Sequence, residues 1–561
     1  MSKSILQPIT AGIRPELFAD NNLLNTKTII VVLAVCLLLG FGLRVWNLGA
    51  ESLSEDELNK LQTVAEYRTN GLTGRNGEHP FLMKGLQILS ITAAEIWNGY
   101  FAAPKISEEA ALRFPTALFG TFTALLLFFL IKELFGSSIG LISAALWSLD
   151  PNAIGFDRIA KEDSFLLFFF LLANVFWIRS QTLAERGDKN RMNYVWLTAI
   201  AFGGMAASKY LIHLFAISIA YFETMSVVLP RKWYFGKARW IKFFLIMGVS
   251  FVILNPTILF PETWHQILTF SGEKRIGHDS YEFMGELYRN QMTLWFAGVP
   301  WTFYYIFILV KTPILTLLFF LSGLPMLFRR KMGDGRFFIF FWLFLWFFPF
   351  TVFGGKFTRY FTIAQPLIFI IAAIGCFYSS KWLAEKLFPD SALKNYFVWI
   401  IPFILVTASF INSISVAPYY RLHTNFSGGG KQSVGYYFPH DEFYDTSTRE
   451  IAAEISKIAE SRAVVATETP YLFEYYARKQ GRNDLISVSL SDKTKVSELS
   501  TGDFIVAAKG RHYFSNDAYL NHLEKNVKPA FVIKIDGINS ANTYKLDEES
   551  VRQIKDLAEQ K

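Results

Sequence analysis

The chain has 561 residues, of which 52% are apolar and 17% aromatic, with 56 phenylalanines, only 18% charged residues and a formal net charge of +8. This composition excludes an ordinary soluble globular protein and points to a polytopic membrane protein. The two cysteines, Cys36 and Cys376, fall in apolar runs and imply neither a disulfide framework nor a cysteine metal site.

Crossing about 30 Å of hydrocarbon takes roughly 17 to 25 apolar residues in a helix. Runs of that kind predict about eleven spans, at 28–48, 113–135, 137–155, 162–178, 193–208, 210–230, 241–260, 300–328, 336–353, 360–380 and 396–417. A polar segment precedes the first span without a small-residue cleavage site, which predicts a retained anchor and a tail over residues 1–27. Lys and Arg cluster before span one, after span four, between spans six and seven, and before spans nine and eleven. Cytoplasmic loops carry such excess, so the N-terminus is expected inside and the C-terminus outside. The positive balance is then a topology signal rather than a nucleic-acid footprint.

The first outer loop, 49–112, opens with the acidic stretch SEDEL and continues to GEHPFL. Ser54 and Glu57 have the spacing of a capping box, and Asp56 would favour a helix N-terminus. Capping and catalysis both remain open for this stretch, because Glu57 can cap while Asp56 points at a substrate. The apolar spacing of Leu58, Leu61, Val64 and Ala65 predicts a helix lying along the interface.

The loop DPNAIGFDRIAKED (150–163), Lys209, the long loop 261–300, Lys311 and GGKFTRY (354–360) fall on the same outer side. Ionisable residues at membrane depth are costly and imply function. A carboxylate there can act as a general base, with cations beside it to neutralise a phosphate. Lys161 reads more simply as a snorkelling lysine. Arg158 has a fork that can grip two oxygens, and Lys209 suits either substrate contact or a headgroup-level turn. After Pro418, runs such as AVVATE, DLISVS, DFIVAA and AFVIKI alternate with helical stretches and predict a small α/β domain with a partly parallel sheet over 418–561. It contains no phosphate loop and no nucleophile elbow.

The order of the acidic pair, GEHPFL, Arg158 with Asp163, LVKTPILTLLFF, KFTRYFTIAQPL and APYYRLHTNFSGGG resembles the GT-C superfamily of polyprenyl-phosphate-dependent glycosyltransferases. Within it the chain is similar to glycosyltransferase family 39, the protein O-mannosyltransferases and their bacterial relatives. The resemblance implies a GT-C transmembrane catalytic domain over 28–417. It also implies transfer of a sugar from a polyprenyl-phosphate donor, with inversion, to a protein, lipid or glycan acceptor at the outer face of the cell membrane. It places Asp56 as base with Glu57 as its partner, and Arg158, His79, Lys356, Arg359 and Lys209 on the donor phosphate. HPFL stands where the family has HPPL, which alters the turn at His79. The related lipid A aminoarabinose transferases imply Glu78 and His278 as ligands of a divalent metal. A transporter or flippase is the alternative, although no repeated half is visible in the sequence.

Overall fold

The computed structural model describes residues 23–228, 233, 236–272, 277–389, 391 and 393–559. Most of the tail expected over 1–27, including Lys3 and Arg14, lies outside them, as do Arg231 and Lys232. The helices begin with α1 (Thr26–Val45), α2 (Glu55–Asn70), α3 (Phe81–Tyr100), α4 (Glu108–Phe135), α5 (Ser137–Leu149), α6 (Pro151–Asp157), α7 (Asp163–Glu185) and α8 (Arg191–Ser208). They continue with α9 (Phe215–Val228), α10 (Lys237–Leu254), α11 (Pro261–Gly272), α12 (Phe303–Lys311), α13 (Ile314–Leu327), α14 (Arg336–Val352), α15 (Gln365–Leu387), α16 (Lys394–Phe397) and α17 (Ile400–Val416).

Among the described residues, five helical stretches are long and apolar enough to cross a membrane: α1, α4, α7, α15 and the stretch Lys394–Val416. Four further apolar helices are shorter. The expected spans 137–155 and 300–328 are not single helices. The first breaks at Asp150, whose carboxylate accepts from the amides of Asn152 (2.9 Å) and Ala153 (3.0 Å) and so starts α6 afresh at Pro151. The second breaks at Thr312–Pro313, where proline cannot supply the amide that a continuous helix needs.

Small residues let the bundle helices approach closely, as association within lipid requires. A Cβ on Gly323 would meet the carbonyl oxygen of Ile371 at 2.0 Å, and one on Gly375 would meet that of Phe319 at 2.1 Å, so α13 and α15 touch backbone to backbone. Arg44 near the end of α1 is fully buried against Asp157 (2.9 Å) and donates to the carbonyls of Gly40, Trp147 and Ser148. These bonds tie α1 to α5 and α6 inside an otherwise apolar core.

The long loop 261–300 carries a β-hairpin absent from the sequence expectation. Strands β1 (Ser280–Phe283) and β2 (Glu286–Arg289) pair antiparallel through Met284 and Gly285, both at positive φ, as a two-residue hairpin turn requires. Beyond α17 come α18 (Pro439–Phe443), α19 (Thr448–Ile458), β3 (Val464–Thr467), α20 (Pro470–Lys479), β4 (Ile486–Ser489), α21 (Lys493–Ser497) and β5 (Phe504–Ala508). Helix α22 (Asp517–Asn526), strands β6 (Phe531–Ile535) and β7 (Ile538–Lys545), and helix α23 (Glu548–Glu559) complete the chain. The sheet runs β4-β3-β5-β7-β6, with β3 parallel to β4 and β5, and β7 antiparallel to β5 and β6.

The C-terminal segment does not hang free of the first loop. Leu53, Leu58, Val64, Ile91 and Leu112 share one buried cluster with Ile451, Val465, Leu472, Phe473 and Phe504. Apolar burial, worth about 25 cal/mol per Å², therefore fastens α2 and α3 to the sheet layer.

Candidate active site

The site is built on the first turn of α2. Ser54 accepts from the Glu57 amide (3.4 Å), and the Glu57 carboxylate accepts from the Ser54 amide (2.9 Å), so the capping box forms. Glu57 has no freedom beyond this. Its two oxygens receive the Arg113 fork at 2.8 and 2.7 Å and the Ala160 amide at 2.8 Å, and the side chain is 1% exposed. Burial opposes its charge, but Arg113 and these amides outweigh burial and hold the carboxyl below its usual range. Arg113 also donates to the carbonyls of Leu48, Glu51 and Ser52, so the pair fixes the start of α2.

Asp56, one residue earlier, is turned the other way and its side chain is 41% exposed. Its Oδ2 is bound by the Lys161 ammonium, accepts from the Tyr444 hydroxyl at 2.7 Å and lies 3.7 Å from Arg359. Burial of the site works against the charge, yet Lys161, Lys60 and Arg359 prevail and hold the carboxyl well below its ordinary value. Lys161 is 8% exposed, and burial pushes it down to about 8 against the pull of Asp56. The snorkelling expectation for Lys161 is thus overturned: the turn after α6 folds it inward onto the carboxylate. Arg359 lies over the rings of Phe357 (4.6 Å) and Tyr444 (5.8 Å) and donates to the Tyr444 hydroxyl at 3.1 Å.

A second layer joins this one. Glu162 is met by Lys60 at 3.2 Å and by His79 Nδ1 at 3.4 Å. His79 is pushed down to about 3 by burial, which Glu162 only partly offsets, so its imidazole is neutral. Lys209 pairs with Asp163 (2.7 Å) and sits 5.3 Å from the centre of the Tyr360 ring. Burial disfavours its charge, but Asp163 and Tyr360 raise it above its ordinary value.

Two expected phosphate groups point elsewhere. The Arg158 guanidinium donates to the carbonyls of Leu43, Arg44, Trp46 and Asn47, closing the C-terminal end of α1, and burial pushes it down to about 10. The Lys356 ammonium folds back onto the Phe353 carbonyl, and burial pushes it down to about 8. Glu78 accepts from Asn76 at 2.7 Å. His278 stacks on Tyr513 with ring centres 4.0 Å apart and faces Arg511 at 3.0 Å. Among the described residues no group of three or more His, Cys, Asp or Glu is placed to hold a metal ion. The sequence reading missed Lys60, Glu162 and Tyr444 as site residues. Tyr444 lies 388 positions from its partner Asp56, and nothing in YDTS signals that contact.

Residues 103–260, from the loop before α4 to the turn after α10, match the family model described as dolichyl-phosphate-mannose-protein mannosyltransferase. The oligosaccharyltransferase of Archaeoglobus fulgidus in its apo form is similar with a TM-score of 0.50 at 12% identity, over 86% of this chain and 70% of that one. The fold is that of the GT-C glycosyltransferases. Apo ArnT from Cupriavidus metallidurans is similar to this chain over 92% of its length and 98% of ArnT's own, at 13% identity and a TM-score of 0.49. The S. cerevisiae protein O-mannosyltransferase Pmt1-Pmt2 complex bound to its sugar donor is similar over 48% of this chain and 37% of the matched chain, at 17% identity and a TM-score of 0.32. No curated protein matches in sequence.

Proposed function

We propose that this membrane protein transfers a sugar from a polyprenyl-phosphate donor to an acceptor hydroxyl on a protein, lipid or glycan, with Asp56 as general base. The supporting observation is the contrast within one helical turn: Glu57 is sealed by Arg113, whereas Asp56 keeps 41% of its side chain exposed beside Lys161 and Arg359. In the reaction the acceptor O–H proton passes to the Asp56 carboxylate and the oxygen attacks the anomeric carbon. The bond from that carbon to the phosphate oxygen breaks, and the polyprenyl phosphate leaves as an anion. A single displacement of this kind inverts the anomeric centre.

A carboxylate held as low as Asp56 is a poor base. The donor phosphate brings a second anion to Lys161 and Arg359, and drawing them toward it releases Asp56 upward. Donor binding thereby activates the base, while the same cations neutralise the leaving group. His79 and Lys209 support this wall through Glu162 and Asp163. Arg158 and Glu57 act through the backbone, holding the ends of α1 and α2. The donor tail would lie against apolar helices, with the N-terminus cytoplasmic, the site at the outer face and the C-terminal layer outside. Transfer of labelled sugar from a panel of polyprenyl-phosphate donors tests the reading. Asp56→Asn, which keeps size, should abolish transfer while Glu57→Gln lowers stability first; full transfer by Asp56→Asn would refute it.

A further inference from the structure

The base is held by a part of the chain with no evident chemistry of its own. After α18 the backbone passes through two consecutive non-glycine residues in the left-handed region, Tyr444 at φ 42° and Asp445 at φ 64°. Side chains other than glycine rarely adopt this conformation, and strain of this kind persists only where the surroundings impose it. Here each of the two residues reaches one of the first residues of α2. The Tyr444 hydroxyl donates to Asp56 Oδ2 at 2.7 Å, and Asp445 Oδ2 accepts from the Glu55 amide at 3.3 Å. Asp445 is gripped in turn by the fork of Arg511, whose Nε lies 2.7 Å from Oδ1 and whose remaining nitrogen is 3.1 Å from Glu55. Arg511 stands just past β5, at the carboxyl end of a parallel strand, where open α/β sheets place their functional loops. The turn is further pinned by Ser52, which donates to the Asp445 carbonyl.

We infer that Tyr444 is a positioning residue for the base, held on Asp56 by a clamp in which Arg511 of the C-terminal sheet fixes Asp445 and thereby the strained turn. The inference rests on Asp56 being the base. Lys161 and Arg359 are charged and leave for the phosphate when donor binds. Tyr444 is a neutral donor that stays, so it keeps the carboxylate aimed without holding its charge down as a cation does. Burial and the nearby Asp56 push the Tyr444 phenol well above its ordinary value, so it remains a donor at every working pH. The C-terminal layer thus has a part in the chemistry, which it performs by orientation.

The test is steady-state transfer by the full-length chain in detergent, with saturating and limiting polyprenyl-phosphate sugar. Tyr444→Phe should lower kcat about tenfold, the effect of one hydrogen bond to a charged group, and raise the donor KM by a smaller factor, because the same hydroxyl also receives the Arg359 guanidinium. Arg511→Gln should lower kcat in the native background and add little in the Tyr444→Phe background, because both act through one turn. Independent structural damage would instead multiply. Asp445→Asn keeps the shape of the turn while weakening the Arg511 grip, and should show the same split between kcat and KM if Tyr444→Phe is poorly folded. Native kcat in Tyr444→Phe, with Asp56→Asn inactive, overturns the clamp and leaves the base in place. Full transfer by Asp56→Asn removes the base itself and the clamp with it.

Discussion

Two clusters of buried charge lie at the boundary between the helical bundle and the C-terminal layer, and they differ in one respect. Around the end of α12, Lys311 meets Glu442 at 2.5 Å with both side chains 2% exposed, and donates to the carbonyls of Arg421 and His423. Asp441 beside it accepts from Tyr281 (2.7 Å) and from the Thr358 amide (2.8 Å). The charged groups there pair with one another, and Lys311 and Glu442 are closed off from solvent. Around Asp56 the same residue types are present, but the carboxylate faces open space on one side. A sealed ionic cluster can only hold the fold together, whereas an open one can exchange its partners for a substrate. Exposure of one carboxylate, rather than density of charge, separates the two.

Breaking the sealed cluster should have the largest effect. Glu442→Leu leaves Lys311 buried without its ion-pair partner and should cost about 3 to 5 kcal/mol, read as a loss of folded protein in thermal unfolding. Combining it with Lys311→Met should restore most of that loss, because a matched apolar pair needs no charge compensation. Asp56→Asn should weigh the two effects the other way: it leaves Lys161 without its carboxylate and so lowers the unfolding midpoint by less, the site being open on one side, and it should reduce transfer by about a hundredfold or more, the scale of general-base catalysis.

Next in size is Lys161. Its ammonium, pushed down to about 8 by burial, should lose its proton on the alkaline side of the working range. Donor KM should therefore rise above pH 8, and Lys161→Arg should move that limb upward, because a guanidinium keeps its charge.

The smallest effect is on stability, through His79. Its folded-state value of about 3 lies below the roughly 6.5 of an unfolded histidine, so the unfolded chain takes up the proton first. Stability from this residue is complete above about pH 6.5 and is lost as pH falls toward 3. His79→Asn should flatten that part of the melting profile.

The acidic turn was readable because capping and catalysis both demand carboxylates at a helix start, and SEDEL supplies them in adjacent positions. The membrane class was readable from apolar content, and β3 to β6 from short β-rich runs that alternate with helical stretches. Strand β7, INSANTYK, was not, because it is polar and exists as a strand through pairing with β5 and β6. Where Arg158 and Lys161 point has a reason no local pattern carries. The chain turns after α6 so that the arginine meets the carbonyls ending α1 and the lysine meets α2. Tyr444 depends on the contact between the first loop and the C-terminal layer, which is a property of the assembled fold.

A base that is masked until the donor arrives is tested most directly by the pH dependence of kcat against that of kcat/KM. The second quantity reports the free enzyme, in which Lys161 and Arg359 hold Asp56 low, and the first reports the donor complex, in which the phosphate is proposed to draw them away. The acid limb should therefore lie at higher pH in kcat than in kcat/KM. Coincident limbs, or a limb at lower pH in kcat, would contradict the account.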